Sequence, residues 1–478
     1  MTPEEFARHG HALVDRIARY FAEVEDYPVR SPVRPGAIRD RLPAAAPEHG
    51  EPMEQILADF ESVILPGMTH WQHPSFFAYF PANSSPPSVL GELLTAGLGA
   101  QCMLWETGPA AAELEERMME WLRDALGLPA AWTGVIQDTA STATLCALLC
   151  ARERATDLRT NREGLRAAEA PLTLYASEEI HSSVVKGAKI AGYGEAWLRL
   201  IPTDENLAMR PDALRRAIEA DLARGFRPAC VTACLGTTSS TAFDSLAAIG
   251  PIAREHGLWL HVDAALAGSA ALLEEKRWML EGIEHADSFV FNPHKWLFTN
   301  FDLSAYFVRD PSWLVRTFEI HPEYLKTDVD QRVKNYRDWG VPLGRRFRAL
   351  KLWFVLRNFG LEGLRARLRE HLRMADRFRE WVDGDADFER LAPVPLNLVC
   401  FRFRPAAAGG DEARLEALNA RLLGRLNDSG RLYLTHTRVR GTYALRLCVG
   451  QTYTEERHVR AAWEAIRSEA ARLVASDG

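Results

Sequence analysis

"SFVFNPHKWLF", residues 288–298, joins an apolar run to a turn signal and sets a lysine between that turn and three large apolar side chains. A short apolar run closed by Asn-Pro reads as a buried strand ending at a turn. Lys295 then has three options: snorkel to solvent, pair with a carboxylate, or lose its charge through covalent chemistry. The same grammar repeats upstream. "LTLYAS" (172–177), "AWLRLIP" (196–202), "ACVTACLG" (229–236), "LWLHVDAA" (258–265) and "DSFVFNPH" (287–294) read as buried strands. Helical stretches over 181–191, 211–224, 245–256 and 271–282 separate them. This alternation predicts a mainly parallel sheet covered on both faces, an α/β fold.

The flanks differ in character. Thr2-Pro3-Glu4-Glu5 is a capping box with proline at the first helical position, and Phe6, Leu13, Ile17, Tyr20, Phe21 and Val24 follow at helical spacing. A Pro/Ala-rich connector (41–52) leads to a second helix near 53–64. Such an arm cannot bury its apolar face alone, so residues 1–85 are expected to pack on a partner subunit. Residues 86–350 are expected to form the large domain. From 351 to 478, "LNLVCFRFRP" (396–405) and "LYLTHTRV…YALRLCVG" (432–450) read as strands among helices near 361–382, 411–427 and 455–474, a smaller α+β domain.

The 478 residues are 47% hydrophobic and 25% charged, the balance of an ordinary globular chain. A net charge of −7 argues against nucleic acid or an anionic membrane as partner. No run approaches the ~18 apolar residues of a membrane span, and "MTPEEF" does not read as a secretory signal. The basic "GRRFRALK" (344–351) reads as a solvated helical face. Seven cysteines occur without a CxxC pair. Cys146/Cys150 and Cys230/Cys234 lie in apolar stretches and read as buried reduced thiols, which points to a cytoplasmic enzyme.

Ligands of open parallel sheets sit beyond the carboxyl ends of the strands. Asp263 and Lys295 end two runs separated by one helical stretch, which puts both on one rim, as an ion pair or as a working pair. "QDTASTATLCALL" (137–149) is a hydroxyl-rich turn opening a helix, and with Thr139 and Ser141 it offers a phosphate cradle. His181 opens another helix; alone it is a plain cap, in company a flat ring to stack on an aromatic cofactor. A metal hydrolase built on His261-x-Asp263 is the reading from a different class. It lacks further clustered ligands, so no metal site is expected.

"HVDAALAGSA…ADSFVFNPHKWLFTNFDLSAYFV" (261–270 and 286–308) resembles the pyridoxal 5′-phosphate-dependent group II amino-acid decarboxylases, and most of all the aromatic-L-amino-acid decarboxylases. "LPGMTHWQHPSFFAYFPANSS" (65–85), "LGTTSSTAFD" (235–244), "HPEYLK" (321–326) and "VPLGRRFRALKLWFVLR" (341–357) extend the resemblance over almost the whole chain. It implies fold type I: a large, mainly parallel seven-stranded sheet domain, an N-terminal helical arm and a small C-terminal α+β domain. It also implies covalent attachment of the cofactor at Lys295, with Asp263 keeping the ring nitrogen protonated. Ala265 and His181 would flank the ring, Thr238 would lie beside it, and Ala140, Ser141, Asn292 and His294 would grip the phosphate. Tyr324 matches the mobile-loop proton donor, with His181 assisting.

Trp71, Tyr79, Phe80, Pro81 and Met103 match the apolar substrate lining, with Met103, Leu343 and Gly344 expected from the partner subunit of a homodimer. "WQHPSFFAYFPA" offers no Arg or Lys for a distal carboxylate, although His70 and His73 are near, and Gly344 leaves room for an indole. Two departures stand out: Asp138 where the family often has glycine, and Leu266 where tyrosine is common. The implied activity is decarboxylation of tryptophan, phenylalanine, tyrosine or hydroxylated derivatives to the arylalkylamine and CO2. The alternatives are an aromatic aldehyde synthase, whose plant members resemble this chain but carry phenylalanine at the Tyr324 position, and an acidic amino-acid decarboxylase of the same fold.

Overall fold

The computed structural model of the protein describes residues 1–320 and 332–477. Seven strands form one sheet: β1 (Thr133–Gln137), β2 (Leu172–Ser177), β3 (Leu198–Ile201), β4 (Arg227–Cys234), β5 (Trp259–Asp263), β6 (Ser288–Phe291) and β7 (Ser304–Val308). Their order is β1-β7-β6-β5-β4-β2-β3, and β7 runs antiparallel to both of its neighbours while the other pairs are parallel. Every residue of β5, β6 and β7 is buried, as strands covered on both faces must be. Helix Ala140–Thr156 lies on this sheet through Ala143, Cys146, Ala147, Cys150 and Ala151, small residues that let the helix approach closely. The four-residue spacing of Cys146 and Cys150 is the core face of that helix.

By internal contacts the chain divides into two compact units, residues 82–373 with 392–398 and residues 1–81 with 374–391 and 399–478. The first carries the seven-stranded sheet. The second carries a four-stranded sheet of order β10-β11-β9-β8, built from β8 (Phe388–Arg390), β9 (Leu398–Phe403), β10 (Thr435–Val439) and β11 (Thr442–Cys448). It also carries helix Pro3–Glu23, where Glu5 N–H donates to Thr2 Oγ1 at 3.2 Å and Thr2 N–H to Glu5 Oε2 at 2.7 Å, the reciprocal cap expected from Thr2 to Glu5. No residue of that helix is buried, and Phe6, Leu13 and Val14 are exposed.

The stretch expected as a helix over 271–282 folds instead as two 3₁₀ pieces, Ala267–Leu272 and Glu274–Leu280. Two of its polar side chains bind distant carbonyls: Lys276 Nζ donates to Pro395 O and Arg277 Nη2 to Ala125 O, while Arg277 Nε donates to the nearby Ala271 O. Tertiary ties of this kind override the helical spacing of the apolar residues.

Candidate active site

Strand β5 ends at Asp263, in register with Cys234 of β4 and Val290 of β6. Asn292 N–H, just past β6, donates to Ala265 O at 2.9 Å, so the carboxylate and the Asn-Pro-His-Lys turn leave neighbouring strands on one rim. Asp263 is buried. Its Oδ1 accepts the Ala265 N–H at 3.0 Å, while Oδ2 accepts no hydrogen bond among the described residues. A buried carboxylate with an open oxygen calls for an N–H or cationic partner.

Lys295 is half-buried on a single helical turn, Pro293–Trp296. One turn has no stability of its own, so other elements hold it. Asn292 Oδ1 accepts from Ser304 Oγ at 2.5 Å, and His294 Nδ1 accepts the Leu303 N–H at 3.0 Å. Asn83 donates twice, from N to His294 O at 3.1 Å and from Nδ2 to Lys295 O at 2.7 Å, which satisfies two carbonyls that a helix end leaves open. Asn83 is a residue sequence reading missed; its only signal was its place in the motif at 65–85.

His181 is the N-cap of helix Ser182–Ile190, and its Nδ1 accepts the Ser183 N–H at 3.2 Å. The plain capping role is therefore real, and it does not exhaust the ring. With Nδ1 an acceptor, the proton resides on Nε2. Burial lowers the His181 pKa, Asp263 opposes that shift and the Lys295 charge adds to it, so His181 feels both groups. His294 is pushed down to about 3, mainly by burial and then by Lys295. It is thus neutral, with Nε2–H as its one donor.

A phosphate fits what surrounds this rim. At the start of helix Ala140–Thr156, the N–H groups of Ala140 and Ser141 meet no acceptor among the described residues, as the first turn of a helix requires. The departure at Asp138 is harmless there: its Oδ1 accepts from Thr139 N and Thr139 Oγ1, a local cap. Gly236 turns the chain after β4 with φ +81°, and half-buried Thr238 follows in that turn. Half-buried Ala265 and fully buried Leu266 follow Asp263. Glu179, two residues before His181, was not singled out from sequence; burial and then Glu178 raise its pKa, and Ser239 opposes by hydrogen bonding.

The metal reading of His261-x-Asp263 finds no support. His261 Nδ1 pairs with Ser288 Oγ at 2.9 Å and Nε2 with Thr144 Oγ1 at 3.3 Å, while Ser288 Oγ also accepts from Trp259 Nε1. Among the described residues no His/Cys/Asp/Glu group could hold a metal ion. All seven cysteines are buried and none forms a disulfide, and burial chiefly pushes Cys150 and Cys230 up to about 12, the signature of inert thiols.

The expected substrate lining falls in both units. In one, Trp71 and Tyr79 stack at 5.7 Å and 16°, Phe80 is buried, and Pro81 follows. Buried Arg446 lies over the Phe80 ring at 5.7 Å and donates to Thr435 Oγ1 at 2.8 Å, a cation from β11 that the reading of residues 71–82 did not include. In the other unit, Met103 O accepts Arg337 N–H at 3.0 Å, Cys102 N–H donates to Arg345 O at 3.0 Å, and Arg345 N–H donates to Gln101 Oε1 at 2.7 Å. These ties join the segment that carries Met103 to the one that carries exposed Leu343 and Gly344. Tyr324 and the "HPEYLK" motif lie outside the described residues.

Residues 35–404 match the pyridoxal-dependent decarboxylase conserved domain. The chain is 44% identical over 484 residues to phenylacetaldehyde synthase of Arabidopsis thaliana, covering 99% of this chain and 97% of that protein. It is 42% identical over 488 residues to tyrosine decarboxylase 1 of Narcissus pseudonarcissus, covering 99% and 94%. The crystal structure of Catharanthus roseus tryptophan decarboxylase in complex with L-tryptophan superposes with a TM-score of 0.93 at 41% identity, covering 99% of each chain.

Proposed function

The chain belongs to the pyridoxal-dependent decarboxylase family, and from that premise we propose that it converts aromatic L-amino acids to arylalkylamines and CO2. The observation that carries the reading is the Asp263 carboxylate, buried with Oδ2 open on the rim that bears Lys295. Lys295 would hold the cofactor covalently. Asp263 Oδ2 would accept the N–H of its ring, and His181, Ala265 and Thr238 would hold that ring. Ala140 N–H, Ser141 N–H and His294 Nε2–H would donate to its phosphate, and Asn292, bonded to Ser304 Oγ, keeps the turn in place. Bound pyridoxal phosphate supplies an electron sink for the pair of electrons released with CO2. Tyr324 then delivers a proton to Cα, and His181, with its proton on Nε2, assists.

The substrate assignment rests on the stacked Trp71 and Tyr79 with Phe80 and Pro81, a lining that favours flat rings at ~25 cal/mol per Å² of apolar surface buried. The similarity to a phenylacetaldehyde synthase, a tyrosine decarboxylase and a tryptophan decarboxylase supports an aromatic side chain without choosing the ring. Arg446 over Phe80 is the observation that favours an acidic substrate; its guanidinium face lies on the Phe80 ring and Nη1 donates to Thr435 Oγ1. Tyr324 in place of phenylalanine supports amine over aldehyde as the product.

The working form is a cytoplasmic homodimer in which the partner's copies of Met103, Leu343 and Gly344 complete each site. Helix Pro86–Leu98 supports this: it exposes Leu90, Leu93, Leu94 and Leu98, one face at helical spacing. Buried thiols without a disulfide suit a reducing compartment. Turnover of a panel of aromatic amino acids against glutamate, aspartate and cysteine sulfinate tests the substrate reading. A preference for any of the three acids over every aromatic would overturn it.

A further inference from the structure

The turn that carries Lys295 continues into Trp296, whose indole is fully buried and has one polar atom. That atom, Nε1, donates to His371 Nδ1 at 2.9 Å, and the two ring planes lie within 8° of each other with centroids 6.4 Å apart. The rings therefore meet edge to edge. The N–H and the nitrogen lone pair both lie in their ring planes, so this coplanar arrangement aligns donor with acceptor. An indole N–H can only donate, which makes Nδ1 the acceptor and leaves the His371 proton on Nε2.

Beyond Trp296 the backbone bends sharply. Leu297 leaves the helix at φ −121°, and Phe298 has φ +52°, a left-handed conformation unfavourable for a bulky residue. The chain just after Lys295 therefore depends on its surroundings for its shape. Helix Arg348–Asp383 breaks at Gly360 (φ +64°), and His371 lies beyond that break. It also packs on Phe298 at 5.8 Å.

We propose that His371 is a positioning residue for Lys295, acting through the indole of Trp296. This rests on the reading that Lys295 holds the cofactor. Without the acceptor, a buried indole N–H is left unsatisfied, Trp296 is no longer held at one angle, and the amine one residue before it spreads over a wider range of positions. The resulting defect is in holding the cofactor and in turnover, not in substrate affinity.

The test compares His371→Leu, His371→Gln, Trp296→Phe and the double variant Trp296→Phe/His371→Leu. For each, the affinity for pyridoxal 5′-phosphate is titrated by absorbance, kcat and KM are measured separately, and thermal midpoints report the fold. His371→Leu and Trp296→Phe should each weaken cofactor affinity and lower kcat by about tenfold, the fold-change of one buried hydrogen bond, with KM within about twofold. The double variant should be no worse than either single one, because both remove the same bond. His371→Gln, which restores a neutral acceptor, should recover most of the loss.

Additive single effects, or wild-type cofactor affinity in Trp296→Phe, would overturn the proposal. Should His371→Leu fail to fold, Trp296→Phe and His371→Gln still decide it. Borohydride fixation and peptide mapping of the native enzyme separate the two levels. Label away from Lys295 removes the underlying reading, whereas label at Lys295 with unaffected variants removes this proposal alone.

Discussion

Asp263→Asn isolates one charge with little change of shape. The asparagine oxygen can still accept the Ala265 N–H that Oδ1 holds at 3.0 Å, so the turn after β5 should persist. What changes is the open position: on the proposed reading, an oxygen that would accept from the cofactor's ring N–H becomes an amide NH2 that cannot. The ring nitrogen then loses the charge that keeps it protonated. Two unit charges about 4 Å apart in an effective dielectric of about 20 interact by about 4 kcal/mol, which corresponds to roughly a thousandfold in rate. We expect kcat for an aromatic substrate to fall by about that factor while KM changes little. The cofactor should stay bound, because Lys295 and the phosphate donors proposed at Ala140, Ser141 and His294 are untouched. Stopped-flow CO2 release with parallel cofactor absorbance separates the two effects. Reconstitution with an analogue methylated at the ring nitrogen, permanently cationic, should restore part of the lost rate. A kcat within a few-fold of the native value in Asp263→Asn would remove the Asp263 charge from the reaction.

Replacing Glu115 by Gln should be among the most destabilising conservative changes. Arg345 donates to both Glu115 oxygens at 3.0 and 2.7 Å with both side chains buried, and an uncompensated buried charge costs about 3–5 kcal/mol; an unchanged urea midpoint would contradict this. Acid should destabilise the fold through buried histidines. His261 and His294 are held to about 4 and about 3, mainly by burial, below the ordinary value of 6.5. The unfolded chain therefore binds protons first, and this stabilisation is complete above pH 6.5 and is lost as pH falls toward 4 and then 3. Urea midpoints that stay flat from pH 7 to 4 would exclude it. Tyr324→Phe should bind cofactor and substrate normally yet release aldehyde, ammonia and peroxide; native amine output without peroxide would shift the proton-donor role to His181.

Much of this organisation is legible in the chain because buried parallel strands leave continuous apolar runs. "LTLYAS" coincides with β2 residue for residue, and the runs ending in Asp263 and before Asn292 locate the rim. β1 and β7 are harder to read. "TGVIQ" mixes polar and apolar residues, and "SAYFV" follows a turn whose role emerges only when it pairs antiparallel to both β1 and β6. His181 shows the limit for side chains: a capping histidine and a stacking histidine have the same sequence signature, and only the Ser183 contact assigns its proton. Asn83 and His371 carry no local signal, because each acts on the Lys295 turn from more than 70 residues away in sequence. Arg446 over Phe80 was hidden for the same reason.

The most direct test of the central claim is the product balance during turnover of a single aromatic L-amino acid by the native enzyme, with CO2, amine, aldehyde and peroxide quantified in the same samples. CO2 and arylalkylamine are expected in equal amounts, with peroxide at background. Aldehyde and peroxide released in step with CO2, with amine a minor product, would contradict it.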